Sequence, residues 1–374
     1  MAMCSQSHLQ TISIPPPSTL FLSKPSFSSV SLRSHGFKCN NSLLSKHLET
    51  EPEPVLTSVK TFAPATIANL GPGFDFLGCA VDGLGDFVSL RVDPDVRPGE
   101  IEISSINGIG DSASKLSKDP LLNCAGIGAM SAMKMLGIRS VGLSLSLDKG
   151  LPLGSGLGSS AASAAAAVVA VNEIFGRKLS DLDLVLAGLE SEAVVSGYHA
   201  DNIAPAIMGG FVLIRCYEPM DLIRLSFPID KELFFVLVIP EFKTPTKKMR
   251  AVLPTEIEMS HFIWNCSQAG ALVASVMQGN WRRFGLALSS DKIVEPKRAP
   301  LIPGMEAVKK AAIDAGAFGC TIGGAGPTVV AVTDDEEKGK EIGYRMVDGF
   351  INKGGLKAYA MIQRVDRVGA RVVS

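Results

Sequence analysis

Strands mixed with helices, without a regular strand–helix–strand alternation, predict an α+β protein. Two features set its organisation. A serine-rich leader precedes the first strand, and the turn-rich Glu218-Pro219-Met220-Asp221 breaks the pattern near the middle. The expected division is a leader over 1–52, an N-terminal domain over 53–220 and a C-terminal domain over 221–374.

The leader, residues 1–52, holds twelve serines and four Lys or Arg, and its first acidic residue is Glu49. Pro15-Pro16-Pro17 interrupts any long helix, and no continuous apolar stretch of the secretory kind occurs. That is the composition of an organelle transit peptide, and the single Arg33 favours a chloroplast over a mitochondrion. Cleavage is expected between about residue 40 and Pro54.

After the leader, residues 55–65 start a strand that runs into Pro64-Ala65-Thr66-Ile67-Ala68-Asn69-Leu70-Gly71-Pro72-Gly73-Phe74-Asp75. Strands are read over 88–92 and 101–106, and a helix over 121–135 is stopped by Gly137. Residues 141–147 alternate apolar with small or polar residues, as a strand does. A helix follows with Ser159 or Ser160 as its N-cap, the high-propensity residues 161–167 in its body and Gly176 as its stop. A second helix covers 182–195, a tight segment covers 196–202, and a strand covers 211–215. A fresh series then opens with a continuous apolar strand over 233–239 and helices over 261–277, 281–288 and 304–315. Strands 320–322 and 329–332 flank the turn Gly323-Gly324-Ala325-Gly326-Pro327, a helix covers 337–352, and strand 359–364 closes the series.

Composition narrows the function classes. The 374 residues are 46% hydrophobic, enough for a sizeable core, and a net charge of −1 offers nothing to nucleic acid. No apolar run reaches the roughly eighteen residues of a membrane span. Cys4 and Cys39 lie in the leader; the other five cysteines are widely spaced without a C-x-x-C pair, which reads as separate thiols.

The densest chemical signal is Pro152-Leu153-Gly154-Ser155-Gly156-Leu157-Gly158-Ser159-Ser160-Ala161-Ala162. Glycines clear a backbone approach, and the unpaired N–H groups of the following helix favour an anion. A structural turn is the bland alternative; the paired serines at the helix start favour phosphate. The loop is not a Walker A motif, because no lysine follows the glycines. Nor is it G-x-G-x-x-G, because Ser159 stands where the third glycine belongs.

Pro64 through Asp75, Pro152 through Ala162, and Gly323-Gly324-Ala325-Gly326-Pro327-Thr328 together resemble the three ordered motifs of the GHMP kinases. That family takes in galactokinase and the homoserine, mevalonate and phosphomevalonate kinases. Asn69 to Asp75, His199-Ala200-Asp201-Asn202-Ile203-Ala204-Pro205, Thr244-Pro245-Thr246 with Arg250, and Glu295-Pro296 with Arg298 resemble its members that act on homoserine. The leader adds a likeness to plastid forms.

The resemblance implies a two-domain α+β GHMP kinase fold. Its N-terminal domain would be like the second domain of ribosomal protein S5, its C-terminal domain ferredoxin-like, with the active site between them. It implies ATP-dependent phosphorylation of the L-homoserine hydroxyl to O-phospho-L-homoserine, on the way to threonine, in the plastid stroma and by a homodimer. The loop from Pro152 to Ser160 would cradle ATP, with Asn123 and Lys149 as further nucleotide contacts. Ser160 and Glu192 would hold Mg²⁺, a set of hard oxygens that suits the ion; Glu190 stays open beside Glu192, because Gly197-Tyr198-His199 is one residue shorter than in the family.

For the acceptor, Arg250 and Arg298 would clamp the carboxylate with fork geometry. Asp75 would take the hydroxyl or the ammonium, with Asn69, His199 and Thr246 alongside. Asn202 would stand where mevalonate kinases carry an Asp, leaving no dedicated general base. Two alternatives stay open. One is another kinase of the family, from isoprenoid synthesis, whose N-terminal Lys-bearing motif has no counterpart here. The other is a non-catalytic sensor, against which Ser160, Glu192 and Asp75 stand.

Overall fold

The structure, a computed structural model, describes residues 50–374 except 109 and 196. The transit peptide expected over 1–52 therefore lies almost wholly outside the described residues. Two antiparallel-rich sheets organise the rest, within one compact unit.

The first sheet is built on β1 (Ser58–Ala68), antiparallel to the long β2 (Leu77–Val92). Next to β2 runs β4 (Leu143–Lys149), which pairs in parallel with β3 (Ile101–Gly108). The hairpin β5 (Phe211–Tyr217) and β6 (Met220–Leu225) attaches to the start of β2. Of β2, only residues 88–92 read as a strand in the sequence. Gly78, Asp82, Gly83, Gly85 and Asp86 break the apolar alternation of its first half, yet that half pairs along β1 through a register shift at Pro64/Ala65.

Four helices back this sheet: α1 (Cys124–Leu136), α2 (Ser159–Ile174), α3 (Asp181–Val195) and the short α4 (Ile203–Met208). α2 lies between the sheet and both α1 and α3. Nearly all of its residues are buried, so it is apolar all round, and alanines let its neighbours come close.

The second sheet has the order β10-β7-β9-β8, from β7 (Phe234–Pro240), β8 (Gly319–Ile322), β9 (Val329–Thr333) and β10 (Ala358–Arg364), all antiparallel. In chain order that is fourth, first, third, second, the ferredoxin-like arrangement implied by the resemblance. Phe235 and Leu237 of β7 face the core shared with the first sheet, while Val236 and Val238 face α9 (Met305–Asp314) and α10 (Glu336–Gly349). Both faces are covered, which is why β7 reads as an unbroken apolar run. Between β7 and α9 the chain forms α5 (Thr246–Ala251), α6 (Met259–Gln278), α7 (Trp281–Leu288) and α8 (Glu295–Arg298).

Residue 220, where a domain change is expected, lies within the β5–β6 hairpin. Glu218 and Pro219 make the turn of the β5–β6 hairpin, and the chain leaves the first sheet only after Leu225. Turn residues signal a reversal equally at a hairpin and at a linker, so their identity does not separate the two. Nor does the first sheet end there. β11 (Arg371–Val372) comes back to cover the outer edge of β1.

Beneath both sheets Phe211, Trp281 and Phe284 pack edge-on, with Phe211–Phe284 centroids 5.6 Å apart and Trp281–Phe284 6.1 Å apart. Phe284 is fully buried. Phe284→Ala should destabilise the protein by about 3–5 kcal/mol, read as a lower urea midpoint with an unchanged slope.

Candidate active site between the two glycine loops

The loop after β4 enters α2 through Gly158, which caps the helix in the left-handed conformation (φ 65°) without a side-chain bond. The expected serine cap is thus displaced. Ser159 and Ser160 are already helical, and their hydroxyls donate to the Leu151 carbonyl (3.4 Å) and to Glu192 Oε1 (2.7 Å). Positive φ at the cap calls for glycine, and so does space: a Cβ on Gly158 would sit 1.9 Å from Thr66 Oγ1. Gly156 is hemmed in by backbone: a Cβ there would meet the Gly323 carbonyl oxygen at 2.5 Å and that of Gly326 at 2.8 Å. The third motif therefore packs directly on the second, and Thr328 N–H donates to the Ser155 carbonyl (3.1 Å).

A cleft of about 360 Å³ opens over this junction. Its walls include Asn69, Asn123, Lys149, Leu153, Gly154, Ser155, Gly156, Gly158, Ser159, Ser160, Glu192, His199, Asn202, Thr246, Arg250 and Arg298, so most of the expected site residues converge. Pro152 instead lines a neighbouring cleft behind the loop, with Tyr359. Leu157 is fully buried in the core and presents only backbone. Of the two acidic candidates on α3, Glu192 is buried at the cleft and Glu190 is exposed outside it.

Two expected nucleotide contacts have other partners. The Lys149 ammonium donates to Asp86, to the Ser159 carbonyl (2.8 Å) and to Ser163 Oγ (2.9 Å), which occupies all three of its protons. Asn123 is the N-cap of α1: its Oδ1 accepts from Ala125 N–H (3.0 Å) and its Nδ2 donates to the Ser117 carbonyl (2.9 Å). Both residues are buried, so their amide and ammonium groups hold the fold together.

On the opposite wall, β1 ends in a tight loop with positive φ at Asn69 (73°), Leu70 (49°) and Asp75 (64°). Non-glycine residues enter that region at a cost, and such strain gathers where a site needs it. Asn69 Nδ2 donates to the Gly324 carbonyl (2.8 Å), and Asn69 Oδ1 accepts from Asp75 N–H (3.0 Å). Thr246 and Arg250 project from successive turns of α5. Arg250 grips both carboxylate oxygens of Asp75, at 2.7 and 3.0 Å, while its Nε is buried without a partner. The expected pair of arginines free for one carboxylate is therefore not what stands in the cleft. Arg250 is already paired, and Arg298 is the buried cation left over.

Arg298 donates to the Met249 carbonyl (3.1 Å) and the Gly324 carbonyl (3.0 Å). Burial and the charge of Arg250 lower its pKa to about 10, so it stays a cation at neutral pH. Sequence reasoning assigned no role to Phe74, whose ring lies 4.9 Å from the Arg298 guanidinium and 5.4 Å from that of Arg250. A quadrupole between two cations eases their repulsion. Burial keeps His199 below the usual imidazole range, although Asp75, 3.6 Å away, pulls the other way.

Asn202 Oδ1 accepts from Thr66 Oγ1 (2.8 Å) at the foot of the cleft. Beside it Asp201, which sequence reasoning set aside, also lines the cleft and is almost fully buried. Desolvation first, then the charges of Asp75 and Glu192, raise its pKa to about 7. Its signal lay only in adjacency to Asn202. Helix N–H groups, a buried cation and neighbouring hydroxyl and carboxylate oxygens thus share one cleft, an arrangement able to receive an anion.

Residues 125–210 match the family model described as GHMP kinases N terminal domain, and residues 267–352 match GHMP kinases C terminal. The chain is 68% identical to a homoserine kinase of Arabidopsis thaliana over 373 residues, 100% of this chain and 98% of that one. It is 42% identical to a homoserine kinase of Chlorobium phaeovibrioides, over 85% of this chain and 100% of the other. The crystal structure of a homoserine kinase from Cytophaga hutchinsonii superimposes with a TM-score of 0.78 at 40% identity, covering 86% of this chain and 99% of that one.

The buried acid at 201 makes a prediction about stability. Its folded pKa lies above its unfolded value, so its contribution is complete below about pH 4 and is lost as pH rises through about 7. Asp201→Asn should therefore melt higher than the parent at pH 8.5, with the gap closing towards pH 5 in a thermal scan.

Proposed function

This chain belongs to the homoserine kinases of the GHMP kinase family, and on that premise we propose how its residues divide the work of moving the γ-phosphoryl group of ATP to the L-homoserine hydroxyl. The enzyme is an ATP-dependent phosphotransferase and its product is O-phospho-L-homoserine, an intermediate on the way to threonine. One observation carries the assignment of the loop: the α2 amides start at an uncapped glycine, with Ser160 and Glu192 hydrogen-bonded at 2.7 Å beside them.

Phosphoryl transfer asks for positioning and charge stabilisation more than for covalent help. The backbone from Gly154 to Ser160 receives the phosphates. Ser160 and Glu192, two hard-oxygen donors already in contact, suit Mg²⁺, and no group of three His, Cys, Asp or Glu among the described residues would hold a metal alone. When bound, that ion neutralises phosphate charge. Arg298 takes the acceptor carboxylate, while Asp75, with His199 and Asn69 around it, takes its ammonium or hydroxyl. Arg250 keeps Asp75 in place, and Thr246 closes the same wall.

Asn202 orients the hydroxyl, and transfer proceeds without a dedicated base. A second reading has one observation in its favour: Asp201 lines the cleft with a pKa of about 7, matched to accepting a proton near neutral pH. A pH–rate profile of Asp201→Asn separates the two. A retained kcat with an unchanged acidic limb supports positioning alone, whereas a fall of about a hundredfold or more supports the base.

Two wider assignments complete the proposal. The leader composition supports a plastid location. The face of α6 that bears Met259, Phe262 and Ile263 is exposed and apolar, which supports a homodimer. Ile263→Lys should then shift the sedimenting species from dimer to monomer.

Function is tested by ADP release from a chain starting near Pro54, with homoserine, mevalonate, serine and threonine as acceptors. Homoserine should be preferred. Ser160→Ala and Glu192→Gln should each lower kcat by about a hundredfold or more while the fold is kept. Turnover of mevalonate in place of homoserine would overturn the acceptor assignment.

A further inference from the structure

Behind the phosphate loop lies a buried ion pair that the transfer chemistry does not use. Asp86 on β2 is fully buried and Lys149, the last residue of β4, is nearly so. Asp86 Oδ1 accepts the backbone N–H groups of Gly150 (3.0 Å) and Leu151 (3.3 Å), and Oδ2 accepts Ser163 Oγ (2.7 Å) and the Lys149 ammonium. Lys149 in turn reaches the carbonyl of Ser159 and the hydroxyl of Ser163 in the first turns of α2.

The placement of these bonds matters more than their number. Gly150 and Leu151 are where the loop leaves β4, and Ser159 is where it enters α2. One carboxylate and one ammonium thus tie together the two ends of a glycine-rich segment that has few side chains to hold its shape. Glycine-rich backbone loses much entropy when ordered, and a ligand that must order it binds more weakly.

We propose that Asp86 and Lys149 form a positioning pair that holds the phosphate loop and the first turn of α2 in nucleotide-accepting shape without touching the nucleotide. This rests on the reading of the loop as the ATP site. The pair is internally neutral and its hydrogen-bonding capacity is filled, so it contributes geometry to the anion site and adds no net charge to it. Removing one member leaves the other buried and unpaired, and the loop ends become free to separate.

The test measures ATP affinity by calorimetry without acceptor, alongside the steady-state constants, for Asp86→Asn, Lys149→Met and the double variant. Each single variant should weaken ATP binding about ten- to a hundredfold, and the double variant should be no worse than either, because the two residues act as a unit. KM for ATP should rise while KM for homoserine stays within about twofold.

Three results overturn the proposal. Tighter ATP binding by Asp86→Asn would mean that the freed lysine is itself a phosphate ligand. Additive losses in the double variant would mean that the residues act separately. Lower melting temperatures with unchanged ATP affinity would mean that the pair serves only the fold. Should both single variants fail to fold, Ser163→Ala decides, since it keeps both charges and removes one strut: weaker ATP binding supports the pair and unchanged binding overturns it. A parent enzyme that binds no ATP would sink the reading of the loop instead.

Discussion

The approach of two glycine backbones, Gly156 against Gly323 to Gly326, is the constraint on which the site depends. A helix N-terminus can receive an anion only if its first amides are bare, and bare amides need neighbours that neither cap nor crowd them. Gly158 gives α2 a start without a side-chain cap, and the third glycine segment closes over the loop with carbonyls and no side chains. From that contact the opposite wall of the cleft follows. The carbonyl of Gly324, placed by the same turn, takes hydrogen bonds from Asn69 and from Arg298, and so fixes an amide that follows β1 and a cation on α8 at one point.

Charge in the cleft is arranged by mutual restraint. Arg250 and Arg298 share the ring of Phe74, and Arg250 is further neutralised by its grip on Asp75. With Arg250 engaged by Asp75, Arg298 is the cleft arginine without a carboxylate partner among the described residues. On the acidic side Asp75 has its arginine and Glu192 has the Ser160 hydroxyl, while Asp201 meets their charges in a desolvated place and holds its proton to about neutral pH. The pocket thus offers one settled cation and one acid whose charge depends on pH, which suits a small molecule bearing both signs.

Much of this was legible in the sequence for a physical reason. Glycine clusters mark places where only backbone fits, so the packing of the Gly323–Thr328 turn against the loop at residues 154–158 could be expected from the small residues of both. The apolar run at β7 and the alanines of α2 announced burial on every side. Side-chain pairing stayed hidden. Lys149 looked like a cation beside a phosphate loop, because nothing local says that Asp86, on a glycine-interrupted strand, lies behind it. Arg250 and Arg298 looked like twins, because the grip of Asp75 is set by a left-handed turn more than a hundred residues away in the chain. The hairpin at Glu218-Pro219 looked like a linker, because turn chemistry is the same in both settings. Local rules identify elements; partners come from topology.

The chain's last residues add a kinetic consequence. Val373 N–H donates to the Lys60 carbonyl (2.8 Å), Lys60 N–H donates to Ser374 (2.6 Å), and Asp366 bonds to both Ala80 and Gly210 across the first sheet. The outer edge of β1 is thus closed by residues about three hundred positions further along the chain. Closing so long a loop costs entropy before the contact repays it, so β1 and β2 can meet while that edge is still open. Until it closes, β1 carries a row of unpaired backbone groups, and the pairing that completes the sheet also removes a site where another chain could add a strand.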